Sequence, residues 1–344
     1  MTLSTARRSR RVTWAVLLAA VPVIAVLSLG IGTHPLSPAE VVGALADLPG
    51  HEAARRIVVG LRLPRVLIAL TAGALLGVAG ALLQTTLRNP LADPGLLGVS
   101  AGAVLAIVGA TTILGVDRLP PPWPLVAATA GGIAAGSLVL GLGGGARRPV
   151  QMLLTGVVVS AVLSGIVSVL LLLDGALFST VLRWVVGSLN GRVWEDWALL
   201  WPWALVTLSL ALALRSAAAA LWLGPDAAHG VGLRVKAAGS AVVVTAILLT
   251  AGAVNAVGAI GFIGLLGPHL ARLLGAAHPR LLIPSAALTG ALLLGAADLI
   301  SASLTHLTAL ADIHNRAQLP AGAMTAVVGG PLLLILLLRG DRSR

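Results

Sequence analysis

The residues of this chain that could do chemistry are few, and the clearest test is for ATP hydrolysis. A phosphate-binding loop ends in a lysine followed by a hydroxyl residue, because the lysine and the glycine-rich backbone together bind the phosphates. The only lysine, Lys236, is followed by Ala237, so the motif is absent. The sequence also contains no cysteine, which excludes a disulfide, a thiol nucleophile and a thiolate metal site. We therefore expect no enzymatic activity and no cofactor.

A metal site is the second chemical possibility, because His306, Asp312 and His314 have suitable side chains. Protein zinc sites need three or four ligands held close together. We place these three residues in an outer loop with no further ligand nearby. A solvated loop is the favoured interpretation, and a metal site is the alternative.

The composition is that of a membrane protein. Of the 344 residues, 58% are hydrophobic and only 10% are charged, which is typical of a polytopic helical membrane protein. Ionisable residues are scarce in the middle of the apolar segments, whereas a proton-coupled carrier usually keeps such residues there. Energy for transport is therefore expected from another polypeptide. A self-contained secondary carrier or a channel is the rival interpretation.

Ten apolar segments are predicted to span the membrane, which makes residues 1–344 one all-α transmembrane domain. A span needs about 20 apolar residues in a helix. The first segment could instead be a signal peptide, but its apolar part is long for that and many spans follow. The predicted spans are 12–31, 62–87, 94–114, 123–142, 150–173, 197–214, 237–257, 258–274, 281–300 and 319–338.

Spans two and three are predicted to form a hairpin around a short polar turn. Pro64 suits the first turn of a helix, where its missing N–H would have no partner in any case. Asn89 precedes a proline and is pushed out of helical geometry, which ends the second span. Asp93 then suits an N-cap for the third span.

The basic residues predict the orientation. The formal net charge is +11, but these residues lie in short loops between apolar segments, so we expect no nucleic-acid partner. Most of them fall on the side of the basic tail, residues 1–11, which predicts that both termini lie on the inner side of the lipid bilayer. Trp194, Trp197 and Trp201 then lie near the outer interface, where tryptophan is favoured.

Four motifs occur in order along the chain, at Leu61–Arg65, Asn89–Gly98, Gly261–His269 and Leu319–Gly322. They resemble the motifs of the FecCD-type permeases, the membrane subunits of ABC importers for iron–siderophores, haem and cobalamin. The resemblance covers nearly the whole chain. It implies a type II ABC importer permease fold with ten spans, in a prokaryotic cell membrane with both termini in the cytoplasm.

The resemblance also implies partners. A second permease subunit, identical or related, would enclose a central pathway together with this chain. Two cytoplasmic ABC ATPases would drive alternating access, and a substrate-binding protein would dock outside. A ferric siderophore is the expected cargo, with haem and cobalamin as alternatives.

Arg62 and Arg65 lie at the outer end of the second span. The family counterpart of Arg62 pairs with a carboxylate of the binding protein, so the resemblance implies a docking role. Snorkelling at a helix end is the alternative. The family also tends to carry a second arginine after the region of Asp298, where this chain has Ser301–His306 without one. Arg316 is the candidate replacement.

Two inner turns are implied to close the pathway on the cytoplasmic side. The first contains Asn89 and Leu91, for which a plain helix–turn–helix connection is the alternative. The second lies between spans four and five and contains Arg148 and Pro149, where the family often has small hydroxyl residues.

Ser160, Ser164 and Ser168 recur every four residues in span five and therefore share one helix face. A serine in a helix can bond back to the preceding turn, so the stripe is compatible with a lipid-facing or protein-facing surface. The resemblance places span five along the pathway, which favours a mildly polar pathway wall. Both interpretations stand.

Four glycines recur every three residues near the eighth span, at Gly258, Gly261, Gly264 and Gly267. This spacing favours a stripe for close helix packing. Pro268 is expected to break the helix at that point, so we predict a short span.

The longest inner connection apart from the tail, residues 215–236, is predicted to contact the ATPase. Its apolar residues are separated by glycines, a pattern that suits two short helices with a sharp turn. In the family the counterpart forms two such helices that sit in a cleft of the ATPase. The candidate coupling residues are Leu223, Gly224, Asp226, Gly232 and Leu233.

Overall fold

The computed structural model describes residues 3–32, 34–114, 123–144, 149–173, 182, 184–276, 278–310 and 319–341, and these residues contain α-helices but no β-strand. A π-helical turn, Val58–Arg62, precedes α4, and a short 3₁₀ turn, Gly95–Leu97, precedes α5. The α-helices are α1 Leu3–Gly30, α2 Pro38–Leu45, α3 Glu52–Ile57, α4 Leu63–Thr86, α5 Val99–Leu114, α6 Trp123–Leu142, α7 Pro149–Leu173, α8 Trp194–Ala213, α9 Arg215–Leu223, α10 Pro225–Gly230, α11 Val235–Val257, α12 Ile263–Leu273, α13 Pro279–Leu310 and α14 Ala321–Asp341.

Each of the ten predicted spans contains one of these helices, so the all-α membrane architecture is confirmed. In the described residues, six helices are long and apolar enough to cross a bilayer, and Glu52–Thr86 counts as one of them. Three shorter apolar helices, Trp14–Gly30, Val99–Leu114 and Ala321–Leu332, belong to further predicted spans. The remaining predicted span, the eighth, holds α12, which is only 11 residues long.

The second span begins earlier than predicted, because the helix is continuous from Glu52. The polar segment before Arg62, which lies outside the predicted spans, contains α2 and α3. Just before Pro64, the N–H of Leu63 bonds to the carbonyl of Val58, five residues back. A π turn of this kind widens the helix where proline cannot donate to the preceding turn.

The core of the molecule is α4, which packs against α11, α12 and α13. Glycines let its backbone come very close to its neighbours. A Cβ on Gly77 would clash with the carbonyl oxygen of Ala286 in α13, and a Cβ on Gly80 would clash with that of Gly264 in α12. Small residues at helix crossings are the usual means of tight packing in membranes.

The glycine stripe of the eighth span is only partly helical. Gly258 ends α11 with a φ of 78°, and Gly261 lies in the connection, so only Gly264 and Gly267 belong to α12. The prediction that Pro268 breaks the helix is wrong, because Pro268 lies inside α12. Proline leaves the carbonyl four residues earlier without its helical partner. That carbonyl, on Gly264, instead accepts a hydrogen bond from Nε2 of Gln84, at 3.2 Å.

The ninth span is longer than predicted, because α13 continues to Leu310. The hydroxyl-rich end of this helix lies beyond the predicted span, and His306 was placed in a loop. Two of its hydroxyls bond to their own helix, Ser303 to Leu299 O and Thr305 to Ser301 O, each at 2.8 Å, so their polarity does not interrupt it. His306 therefore lies on a helix, whereas Asp312 and His314 fall outside the described residues. The metal-site alternative stays a prediction.

Candidate functional site

A cleft of about 300 Å³ lies between α5, α7 and the connection from α11 to α12. Ser160, Ser164 and Ser168 all line it, so the predicted serine face borders an open space rather than lipid alone. The Ser160 hydroxyl donates to Gly95 O at 3.2 Å. Residues 259–261 form part of another wall, and no ionisable side chain is among the described residues that line the cleft. Such a wall can pass a polar solute without holding it by charge.

The first inner turn is held by its own side chains. The N–H of Leu91 donates to Oδ1 of Asn89 at 2.9 Å, and the N–H of Gly95 donates to Oδ1 of Asp93 at 2.7 Å. Asp93 lies two residues before the 3₁₀ turn Gly95–Leu97 and caps that turn with its side chain. The helix α5 begins only later, at Val99. Leu91 is exposed and available to a partner.

Asp93 also contacts α12. A Cβ on Gly264 would lie 2.6 Å from its Oδ2, so only glycine fits beside this carboxyl. Burial raises the pKa of the Asp93 carboxyl to about 6, although the N–H of Gly95 acts in the opposite direction. The sequence indicated Asp93 as a cap, but gave no sign that it would meet α12.

The second inner turn is placed only in part. Pro149 begins α7, whereas Arg148 lies outside the described residues. The pairing of the two turns in a cytoplasmic gate stays a prediction.

The two outer arginines are bound within their own chain. Arg62 Nη1 donates to Leu29 O at 2.6 Å, and its Nη2 donates to His34 O. Leu29 lies in the last turn of α1, where carbonyls lack helical partners, so Arg62 caps that helix.

Arg65 makes an ion pair that the sequence analysis did not predict. Its Nη2 donates to Oδ1 of Asp298 at 2.7 Å, and its Nε donates to Oδ2 at 3.0 Å. Asp298 is only 4% exposed and lies within α13, 233 positions away in the chain. The one available signal was an isolated acid in an apolar segment, since such an acid is usually paired.

These arginines line a cavity of about 330 Å³. Arg192 lines it as well and pairs with Asp196 at 3.2 Å, while its guanidinium lies 5.2 Å from the ring centroid of Trp184. The described residues that line this cavity thus include three guanidinium groups, those of Arg62, Arg65 and Arg192, and one carboxylate, that of Asp298. Docking of an acidic partner at this cavity stays a prediction. Arg316 lies outside the described residues.

The segment 215–236 contains two short helices, α9 and α10, joined at Gly224 with a φ of 111°. Leu223 and Val231 are 68% and 74% exposed, and Asp226 lies in the exposed first turn of α10. Gly232 adopts a φ of 77° and ends the second helix, after which Leu233 packs against the core. The segment therefore exposes apolar side chains on two consecutive short helices, and its contact with the ATPase stays a prediction.

Comparison with known proteins agrees with these features. The FecCD transport family matches residues 18–339. The Fe(3+)-citrate import system permease protein YfmE of Bacillus subtilis is 34% identical over 97% of both chains. The ferric enterobactin transport system permease protein FepD of Escherichia coli is 36% identical over 92% of both. Relatives named for hemin import in Yersinia pestis and cobalamin import in Halobacterium salinarum are 34% and 33% identical.

A solved structure is also similar over nearly the whole chain. It is described as an inward-facing conformation of a metal-chelate type ABC transporter, and it matches with a TM-score of 0.79 and 26% identity. The match covers 96% of this chain and 99% of that one. The all-α membrane architecture, the motifs and both comparisons agree, so the chain belongs to the FecCD transport family, whose members are membrane subunits of ABC importers and not enzymes.

Proposed function

We propose that this permease moves a ferric chelate, of the siderophore or citrate type, into the cytoplasm by alternating access. The observation that carries the proposal is the cleft lined by Ser160, Ser164 and Ser168. Ferric chelates present many oxygen atoms, which hydroxyl groups can contact weakly, and an uncharged wall does not trap them. The names of the iron-citrate and enterobactin relatives support the same cargo class.

Haem and cobalamin are the alternative cargoes, because relatives named for both are about as similar. A self-contained secondary carrier is not favoured, since members of this family work with a separate ATPase and a substrate-binding protein.

We propose the membrane arrangement from the same features. A second permease subunit, identical or related, would close the cleft on its open side. The basic tail would lie in the cytoplasm together with α9 and α10, where a pair of ATPases binds. The arginine-lined cavity would then face outside, where Arg62 and Arg65 meet acidic side chains of the binding protein.

The test is uptake by the complete complex. The permease is reconstituted in liposomes with its ATPase and binding protein, and iron uptake from ferric citrate and a ferric siderophore is compared with uptake of haemin and cobalamin. ATP-dependent iron uptake that exceeds the other two is expected. Preferred uptake of haemin or cobalamin would contradict the cargo proposal, and uptake by the permease alone would contradict the dependence on an ATPase.

A further inference from the structure

The helix α12 begins beside the wall of the cleft and leads away from it. The residues just before it, 259–261, line the cleft, and its last turn contains Arg272. At 1.5 Å per residue, its 11 residues span only about 16 Å. Any movement at one end of so short a helix is therefore transmitted to the other.

The residue that precedes the first turn of α12 has a strained backbone conformation. Phe262 has a φ of 69°, although a bulky side chain rarely adopts this region. The connection between α11 and α12 is also held by a residue that precedes α8, because the N–H of Ala259 donates to Trp184 O at 2.8 Å. Strained residues of this kind persist where the surroundings hold them, and they are frequent at positions that move in function.

The helix α12 is attached to α4 through one buried side chain of α4, that of Gln84. Gln84 is 2% exposed. Its Oε1 accepts a hydrogen bond from Arg272 Nη1 at 2.7 Å, while its Nε2 donates to Gly264 O, the carbonyl left unpaired by Pro268. One glutamine thus holds both the first and the last turn of α12. The bond to Arg272 is charge-assisted and partly buried, which strengthens it.

We propose that Gln84 and Arg272 are positioning residues for transport. Their hydrogen bond fixes α12 against α4 and thereby sets the position of residues 259–261 in the wall of the cleft. Neither residue lines the cleft in the described structure, so both act through the helix and not on the cargo. This inference rests on the proposed function of the chain as a permease.

The competing explanation is a bond that only stabilises the fold. The two explanations differ in the number of cargo molecules moved per ATP hydrolysed. A bond needed only for folding would lower assembly, and uptake and ATP turnover would fall together. A positioning bond would lower uptake per ATP in complexes that assemble normally.

The experiment uses Arg272→Met, Gln84→Leu and the double variant in the reconstituted complex with ATPase and binding protein. Thr85→Val is the matched control, because it removes a neighbouring buried hydroxyl that bonds only to its own helix, at Ala81 O. Each single variant is expected to lower uptake per ATP about tenfold, the effect of losing a hydrogen bond to a charged group. The double variant should be no worse than the stronger single variant, because the two side chains act as one unit.

Conservative variants keep the test decisive if a larger change prevents assembly. Gln84→Glu retains an acceptor for Arg272 but loses the donor to Gly264 O, so its uptake per ATP is expected to lie between that of Gln84→Leu and that of the unmodified protein. Arg272→Lys retains the charge on a shorter reach and should be intermediate. Normal uptake per ATP in the assembled single variants, or equal losses of uptake and ATP turnover, would overturn the proposal. A complex with unmodified permease that takes up no cargo would instead refute the proposed function.

Discussion

The ion pair between Arg65 and Asp298 is largely buried, because the two side chains are only 20% and 6% exposed. Two charges in such a place need each other, since an unpaired buried charge is costly. Arg65 was predicted to bind a carboxylate of the binding protein, but its guanidinium is already bound to Asp298. Docking at Arg65 would therefore have to compete with Asp298.

This competition predicts the effect of Asp298→Asn. The change leaves the guanidinium of Arg65 without its counter-charge, so the binding protein should bind severalfold more tightly at low salt and lose this gain at high salt. The free energy of unfolding should fall by about 1–3 kcal/mol, because one partner of a charged hydrogen bond is lost. Binding affinity at two salt concentrations and thermal unfolding in detergent measure both effects.

Asp47→Asn is the control for Asp298→Asn. Asp47 pairs with Arg55 at 2.9 Å, but both side chains are exposed, so its removal should hardly change stability. An unchanged affinity of the binding protein for Asp298→Asn would show that Arg65 takes no part in docking.

Among the helices, two of the shortest, α9 and α10, are predicted to contact the ATPase. The pair α9 and α10 is exposed, apolar and joined by glycines in backbone conformations that other residues rarely adopt. Both helices were anticipated because this information is local, contained in the positions of Gly224, Pro225 and Gly232. The course of α12 through Pro268 was not anticipated, because the side chain that makes it possible belongs to α4.

The coupling role of α9 and α10 predicts the effect of Gly232→Glu. A bulky charge at this exposed position should prevent the ATPase from fitting, so uptake is expected to fall strongly while the membrane helices remain folded. Gly232→Ala is the matched control, because it carries the same backbone strain at a φ of 77° without the charge or the bulk. Assembly, ATP turnover and uptake are measured together. Normal uptake by Gly232→Glu in an assembled complex would place the main ATPase contact elsewhere.

At the scale of the whole molecule, the chain is a membrane subunit of a transporter and not an enzyme. Its core is a tightly packed set of helices around α4, while the cleft lies to one side, against α5 and α7. An ABC permease depends on its ATPase for the free energy of transport, and this sequence lacks a phosphate-binding loop.

The purified chain alone is accordingly expected to hydrolyse no ATP. Turnover should appear when the partner ATPase is added and should follow its concentration. Phosphate release is the measurement, with the ATPase alone as the reference. ATP turnover by the rigorously pure chain would contradict this expectation.

The sequence by itself determined the features that depend on neighbouring residues. The apolar segments, the polar turn after Leu87, the serine spacing in α7 and the missing phosphate-binding loop were all visible, because helix periodicity and bilayer thickness act over about 20 residues. The family motifs added the type of transporter, since they occur in order over the whole chain.

Only the tertiary structure decided which distant polar groups meet. Arg65 and Asp298 are 233 positions apart, and Gln84 and Arg272 are 188 positions apart. Neither pair has a local pattern, because each is brought together by the packing of α4 against α12 and α13. Glycines on α4 permit that packing, and in a bilayer these polar groups must find partners within the protein because lipid offers none.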